Sequence, residues 1–295
     1  MSNFLSGSHA SMLKIAGFLV VIVSVLGGFV LSDGHVAALW HPFEILIISG
    51  AALGAFLVAN NMATVRNTFA KVPQILFGHR FGKPYFLDVL GLLYEILNKS
   101  RREGMMAIEA DIEEPRESPI FSKYPAILKD DRMVDFICDY LRIMSTGNMA
   151  PHELEALFDV EISSLTEELQ TPSHAVNRVA DALPGFGIVA AVLGIVITMG
   201  ILGDADNAQI GEKVATALVG TFLGILAAYG FVGPFAAAME HDASEEANTY
   251  EAVKMCLVAS AQGLPPALAV EFGRKALLSE HRPSFVELEE SVKGR

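Results

Sequence analysis

Four long runs without a single charged side chain decide what this chain can fold into. They occupy residues 15–31, 45–65, 182–203 and 214–239, and none contains Asp, Glu, Lys, Arg or His. A helix needs about 20 apolar residues to cross the hydrocarbon core of a bilayer, where every backbone polar group must be satisfied within the segment. The sequence therefore predicts four transmembrane helices. The first run is too long for the apolar part of a cleaved signal peptide, which is the alternative for residues 1–31.

The basic residues between the runs indicate which side of the membrane each loop occupies. Residues 32–44 contain no Lys or Arg, and residues 204–213 contain only Lys213 against three acids. The segment after the second run carries several basic side chains close to the membrane. Because such residues favour the cytoplasmic side, we expect residues 66–181 and both termini to be cytoplasmic.

The predicted fold class is all-α, a polytopic membrane protein with a large helical insertion between the second and third spans. Apolar residues recur at helical spacing in 85–102, before Gly104, and in 133–145, before Gly147. A further helix is expected from Pro151 to near Thr171, and the tail predicts helices over about 240–262 and after Pro265–Pro266. The expected organisation is a segment with the first hairpin (1–65; spans about 15–31 and 43–65), the cytoplasmic insertion (66–181), the second hairpin (182–239; spans about 182–203 and 214–239) and a helical cytoplasmic tail (240–295).

Composition argues against several classes of function. The net charge of −13 lacks the clustered positive charge that nucleic acid requires. The two cysteines lie in regions predicted to be cytoplasmic, where thiols stay reduced, and the eight histidines show no metal-ligand spacing. No nucleophile–base motif or phosphate-binding loop is present. We therefore expect neither an enzyme nor a resident metal or cofactor.

The third and fourth spans combine small residues and prolines with a lack of ionisable groups. If the protein moves protons, the titrating carboxylate must come from a partner. Small residues such as those of the Gly220–Gly224 step let helices approach closely, either within one chain or between copies. Pro184 and Pro234 each remove a backbone donor, so each is interpreted either as a helix-entry residue or as a hinge beside an ion path.

Five segments of the chain form long and specific patterns: Asn60–Asn61, LLYEILNKSRREGMMAIEADIEEPRES (92–118), DALPGFGIVAAVLGIV (181–196), LVGTFLGILAAYGFVGP (218–234) and VEFGRKALLSEHRPSFVELEE (270–290). Together they resemble the MotA family, the ion-channel stator subunits of the bacterial flagellar motor. The resemblance extends over nearly the whole chain after the first ten or so residues. It implies a motility and chemotaxis protein of the bacterial inner membrane that converts ion flow into torque.

The resemblance also implies roles for residues of the third and fourth spans. Pro184 and Pro234 match two prolines thought to couple ion flow to conformational change. Thr221 matches a threonine of the ion pathway, and Tyr229 matches a tyrosine nearby on the same span. Sodium-driven relatives place a threonine where this chain has Ala191, which offers no oxygen ligand to a hard cation. Protons are therefore the expected ion, with sodium as the alternative.

Two further implications concern partners. Arg101 and Glu109 match an arginine and a glutamate of the insertion that bear on the rotor protein FliG, although alone they would be interpreted as solvated surface charges. The family places the ion-binding aspartate on MotB, which is anchored to peptidoglycan, and surrounds two MotB helices with five MotA chains. We therefore expect a homo-oligomer with a MotB-type partner.

Three other functions remain as alternatives. An energiser of the ExbB/TolQ type also surrounds a partner's aspartate-bearing helix, but it has three spans. A secondary transporter would normally place charged or polar substrate ligands at the midplane and show repeat symmetry, whereas this sequence offers no charged midplane candidate and no evident repeat. A purely structural membrane scaffold would tolerate replacement of Pro184 or Arg101.

Overall fold

The structure is a computed structural model that describes residues 3–77, 81–147, 149–200 and 206–293. No strand occurs within these ranges, and the predicted all-α fold class is confirmed. The helices are α1 (Asn3–Leu31), α2 (Pro42–Ala59), α3 (Met62–Phe77), α4 (Lys83–Glu103), α5 (Glu109–Glu113), α6 (Pro125–Leu128), α7 (Asp131–Ser145), α8 (Pro151–Gly200), α9 (Asn207–Leu226), α10 (Gly233–Ala261), α11 (Pro266–Ala276) and α12 (Phe285–Lys293). Short 3₁₀ turns precede α2, α5 and α6, and a π-helix, Ala227–Val232, separates α9 from α10.

The chain divides into two compact units. The first comprises Met1–His79 and Gln170–His241, and the second comprises Arg80–Leu169 and Asp242–Arg295. Four helical stretches of the described residues are long and apolar enough to cross a membrane, within Met12–Leu31, Val36–Ala59, Pro151–Gly200 and Ala208–Ala261. Each of these stretches overlaps one of the four uncharged runs of the sequence.

The second unit has a continuous hydrophobic core formed by α4, α7 and the parts of α8, α10 and α11 that belong to this unit. One face of α4 is apolar because its hydrophobic residues recur every three or four positions, and Leu92, Leu93 and Ile96 are fully buried. Gly104 ends α4 as the sequence predicted, with a φ of +90° that a residue with a side chain rarely adopts.

The helix boundaries around the spans differ from the sequence prediction. The second span, expected over about 43–65, ends at Ala59 because Asn60 adopts an extended backbone, and Asn61 Oδ1 then accepts the backbone N–H of Thr64 at 2.8 Å. The fourth begins at Asn207 instead of about 214, since Asp206 caps it through the N–H of Gln209. The last predicted residues of the third span, 201–203, lie outside the described residues.

Two predicted breaks are absent. The helix expected from Pro151 to near Thr171 continues through Pro172 and Pro184 to Gly200 as the single 50-residue helix α8. The fourth span and the first tail helix, expected to be separate near residue 240, follow one another through the π-helix and α10 without a turn. The cost of an interior proline, about 3 kcal/mol, is therefore outweighed by packing, since Leu169, Ser173 and Ala175 are all buried.

Candidate functional sites

The third and fourth apolar runs pack against each other through backbone contacts at glycines. A Cβ atom on Gly187 of α8 would lie 2.9 Å from the carbonyl oxygen of Gly220 of α9, and one on Gly224 would lie 2.7 Å from that of Leu183. These contacts pair the two helices in antiparallel directions. The sequence left open whether the small residues pack within one chain or between copies. Gly187 and Gly224 pack within one chain, and such close contact between helix backbones requires small residues.

Three of the predicted pathway residues lie on this helix pair. Ala191 is buried, and its backbone nitrogen lies 3.4 Å from the position of a Cβ on Gly220. The Cα of Thr221 lies 3.3 Å from the corresponding position on Gly187, one turn from Pro184. Residues 182–200 and 214–239 bring no carboxylate or basic group to this surface. It can hold a hydroxyl and backbone carbonyls close to an ion, but it cannot carry a proton on an acidic side chain.

Pro234 and Tyr229, the other two pathway candidates, lie at a change of helix type. The π-helix Ala227–Val232 shifts the hydrogen bonding by one residue, so that the N–H of Gly233 bonds to the carbonyl of Ala228, five residues earlier. Pro234 follows at once and has no N–H to restore the α-helical pattern. Both Pro234 and Tyr229 are exposed, and Tyr229 has 71% of its surface accessible. Such π-helical insertions frequently mark functional sites.

A polar contact near the start of the third apolar run was missed by the sequence analysis. Arg178 Nη2 donates to Asn60 Oδ1 at 3.1 Å, and Asn60 Nδ2 donates to the carbonyl of Phe56 at 2.7 Å. The side chain of Asn60 therefore binds both the end of α2 and a cation on α8. The charge of Arg178 four residues before an apolar run was the available signal, but its partner lies 118 residues away in the sequence.

The predicted rotor-facing pair lies on either side of the 3₁₀ turn between α4 and α5 in the second unit. Arg101 is exposed in the last turn of α4, and Glu109 is exposed as the first residue of α5. Beneath them the buried Asp111 accepts hydrogen bonds from Lys99 at 2.7 Å and from the Ser118 hydroxyl at 2.6 Å. Within the described residues neither Arg101 nor Glu109 joins an ion pair. Both charges are thus presented to solvent on a fixed support.

No cluster of three potential metal-ligating side chains occurs in the part of the chain that the structure describes. The thiols of Cys138 and Cys256 are both buried, and burial raises the pKa of each to about 12. A protonated thiol is a poor nucleophile and a poor ligand.

The fold and these sites define a four-span helical membrane protein with a separate helical unit that carries most of its charge. Comparison with known families identifies the class further. The MotA/TolQ/ExbB proton channel family matches residues 130–252, and the family "Motility protein A N-terminal" matches residues 15–104.

The particular family is shown by close relatives. The chain is 46% identical to Motility protein A of Salmonella typhimurium and 45% identical to that of Escherichia coli, with 96% of each chain covered. It is 39% identical to the chemotaxis protein LafT of Vibrio parahaemolyticus over 94% of this chain and 97% of that protein. The chain therefore belongs to the motility protein A family, which confirms the resemblance seen in the sequence.

Two solved structures share the fold. C. jejuni MotAB matches with a TM-score of 0.75 and 17% identity over 92% of this chain and 98% of that chain. The flagellar MotAB stator complex from Bacillus subtilis matches with a TM-score of 0.69 and 20% identity over 90% of this chain and 94% of that chain.

Proposed function

We propose that this chain is the ring-forming stator subunit of a flagellar motor, which conducts protons together with a MotB-type partner and turns their flow into torque. One observation carries the proposal. The stretches of α8 and α9 that hold three of the predicted pathway residues, 182–200 and 214–226, are packed backbone to backbone and contain no Asp, Glu, Lys, Arg or His. Such a surface suits a path whose acid is supplied by another chain, and solved relatives of the same fold are MotAB complexes.

The mechanism follows from the cost of charge in the membrane. An ionised carboxylate on the partner's helix is unfavourable beside the apolar surface of α8 and α9 unless water or polar atoms solvate it. Protonation removes that cost, and release of the proton to the cytoplasm restores it. The Thr221 hydroxyl and the carbonyls that Pro184 and Pro234 leave without donors are the polar atoms this chain supplies. The π-helix before Pro234 is the element expected to change its hydrogen bonding during each cycle.

The cytoplasmic unit is proposed to transmit this movement to the rotor protein FliG through Arg101 and Glu109. Isolated surface charges contribute little to stability, whereas complementary charges across an interface orient partners and speed their encounter. The two residues have opposite charge and no ionic partner within the described chain, so both remain available to another protein.

The same proposal places the chain in the bacterial inner membrane with both termini in the cytoplasm, because basic residues follow the second span. Five copies around two MotB-type helices are the proposed assembly. Contacts between copies would use the outer faces of the spans, since Gly187 and Gly224 are occupied within the chain. The chain requires no enzymatic site or resident cofactor for this role, and its transported species is H⁺.

The test is motility of a strain that lacks this gene, with flagellar filaments counted by electron microscopy. We expect paralysed cells with a normal number of filaments, rescued by the wild-type chain and not by Arg101→Glu or Pro184→Ala variants that reach the membrane at normal levels. If a second stator set sustains swimming, its deletion removes that ambiguity. Swimming that persists without either set would overturn the proposal.

A further inference from the structure

A cavity of about 290 Å³ lies in the first unit, between α1, the last turn of α3, the π-helix and the start of α10. We call it the α1 cavity. At one end α1 packs closely on the π-helix: the rings of Phe18 and Phe231 stack with centroids 5.7 Å apart, and a Cβ on Gly230 would lie 3.0 Å from Cγ1 of Val21. From this contact the cavity extends toward the start of α1.

The described lining of the α1 cavity is apolar except at Lys14 and Tyr229. Its apolar members include the rings of Phe18 and Phe235. A Cβ on Gly17, which also lines the cavity, would meet nothing within 4 Å, so the space beside α1 is open. Side chains that border an empty space lose dispersion contacts. A flexible hydrocarbon chain is therefore a favourable occupant.

Lys14 gives the α1 cavity a positive charge. Its Nζ donates to the carbonyl of Ile75 in the last turn of α3, at 3.3 Å, which uses one of the three donors of the ammonium group. Within the described residues no carboxylate forms an ion pair with Lys14. Lys14 immediately precedes the first uncharged run, which under the proposed topology is the depth of the cytoplasmic lipid headgroups. An anionic group at that depth would neutralise it.

We propose that the α1 cavity binds an anionic phospholipid of the cytoplasmic leaflet, with one acyl chain between α1 and α10 and its phosphate at Lys14. The inference goes beyond the proposed function and takes from it only the cytoplasmic placement of Lys14. Basic pockets between membrane helices on the cytoplasmic side bind anionic headgroups in this way. Because Tyr229, Gly230 and Pro234 belong to the same wall, the acyl chain contacts the π-helix directly.

The first test compares two lipids that differ only in the headgroup. The purified complex of this chain with its MotB-type partner is titrated with dioleoyl phosphatidylglycerol or dioleoyl phosphatidylcholine, and bound lipid is counted by native mass spectrometry. We expect the wild type to bind phosphatidylglycerol more tightly, and Lys14→Gln to weaken that binding about fivefold. The matched control is Lys213→Gln, because Lys213 also immediately precedes an uncharged run. This variant should bind as the wild type does.

The second test fills the α1 cavity and leaves Lys14 in place. Gly17→Leu puts a side chain into the open space and should weaken phosphatidylglycerol binding as strongly as Lys14→Gln does. Gly28→Leu is the control on the same helix, since a Cβ there also meets nothing within 4 Å, and it should bind normally. Leucine has a higher helix propensity than glycine, so neither substitution weakens α1 itself.

Equal binding of the two lipids by the wild-type complex, or unchanged phosphatidylglycerol binding by Lys14→Gln, would overturn the proposal. Retention of neither lipid would overturn it as well, and would mean that a second copy or the partner covers the α1 cavity in the complex. Equal weakening by Gly17→Leu and Gly28→Leu would also refute this location of the site. None of these outcomes bears on the stator role, which the motility test decides.

Discussion

Arg274 is a single charged residue that holds two segments of the C-terminal region together. The residue is 6% exposed, and its guanidinium donates to both carboxylate oxygens of Glu271, at 2.7 and 2.5 Å, and to the carbonyl of Pro283 at 2.8 Å. These bonds join α11 to the segment that leads into α12. A buried cation whose donors are satisfied in this way is held in place, whereas an exposed pair is solvated in both the folded and unfolded states.

We expect Arg274→Ala to destabilise the protein far more than Arg116→Ala. Arg116 also has an ionic partner, Asp131 at 2.7 Å, but both side chains are about three-quarters exposed. Loss of the buried partner should cost about 3 kcal/mol and lower the unfolding midpoint by roughly 6–12 °C, while loss of the exposed one should change it little. Circular dichroism of the purified full-length chain measures both. Equal midpoints would contradict this account of the tail.

The same pair predicts a loss of stability in acid. The hydrogen bond from Arg274 lowers the pKa of the Glu271 carboxyl below its ordinary value. A group with a lowered folded-state pKa stabilises the fold above its unfolded pKa, about 4.3 for Glu, and loses that contribution as the pH falls through the lower folded value. Glu271→Gln should therefore flatten the fall of the unfolding midpoint below about pH 5. Glu117→Gln, at an exposed site, is the control, and equal acid slopes in the wild type and Glu271→Gln would refute the assignment.

At the scale of elements, the contact between α8 and α9 depends on the missing side chain of Gly187. An added Cβ would lie 2.9 Å from the carbonyl oxygen of Gly220 and 3.2 Å from the Cα of Gly224. Neither is the flexible end of a side chain, so the helices would have to separate. We expect Gly187→Ala to lower the unfolding midpoint and to abolish or strongly reduce swimming.

Gly185 provides the matched control on the same helix, because a Cβ there would meet nothing within 4 Å. Gly185→Ala should leave the unfolding midpoint of the purified chain unchanged or slightly raised, since alanine has the higher helix propensity. If the two variants unfold at the same temperature, the close approach of α8 and α9 is not what holds this hairpin together.

Sequence reasoning recovered the elements whose signals are local. The helix expected over 85–102 is α4, Lys83–Glu103, because periodic apolar residues and a terminal glycine both lie within a few turns of each other. The predicted helix boundaries were wrong where tertiary packing outweighed the local helix propensity of the sequence. The helix expected from Pro151 to near Thr171 instead continues through Pro172, between buried residues, as part of α8.

The candidate sites were predicted less completely than the fold. The resemblance supplied the pathway and rotor residues, but not the contact of Arg178 with Asn60 or the π-helix before Pro234. A hydrogen bond across 118 residues leaves no trace in the spacing of one sequence. The π-helix is defined by the bond of the Gly233 N–H to the carbonyl of Ala228, five residues earlier. The sequence does not show which carbonyl accepts that N–H; it shows only that Pro234 has no N–H to donate.

At the scale of the whole molecule, charged and apolar residues are concentrated in different parts of the chain. The second unit and the ends of the spans carry the charges, whereas the four apolar runs carry none. Under the proposed function, the titrating carboxylate lies in a partner and this chain keeps its own charges for contacts in water. The ion that drives it must then be decided by the few polar atoms near α8 and α9.

The last prediction concerns that ion. Ala191 is buried on α8 where a hydroxyl would be needed to add an oxygen ligand for sodium, so protons should drive the motor. Swimming speed should stay constant when sodium is replaced by potassium at fixed pH, and it should collapse when a protonophore removes the proton gradient. Thr221 is the one aliphatic hydroxyl among the predicted pathway residues, and Thr221→Val tests it separately. A proton path that needs no sodium ligand should keep its indifference to sodium in this variant. Speed that rises with sodium in the wild type and loses that dependence in Thr221→Val would instead identify a sodium-driven stator.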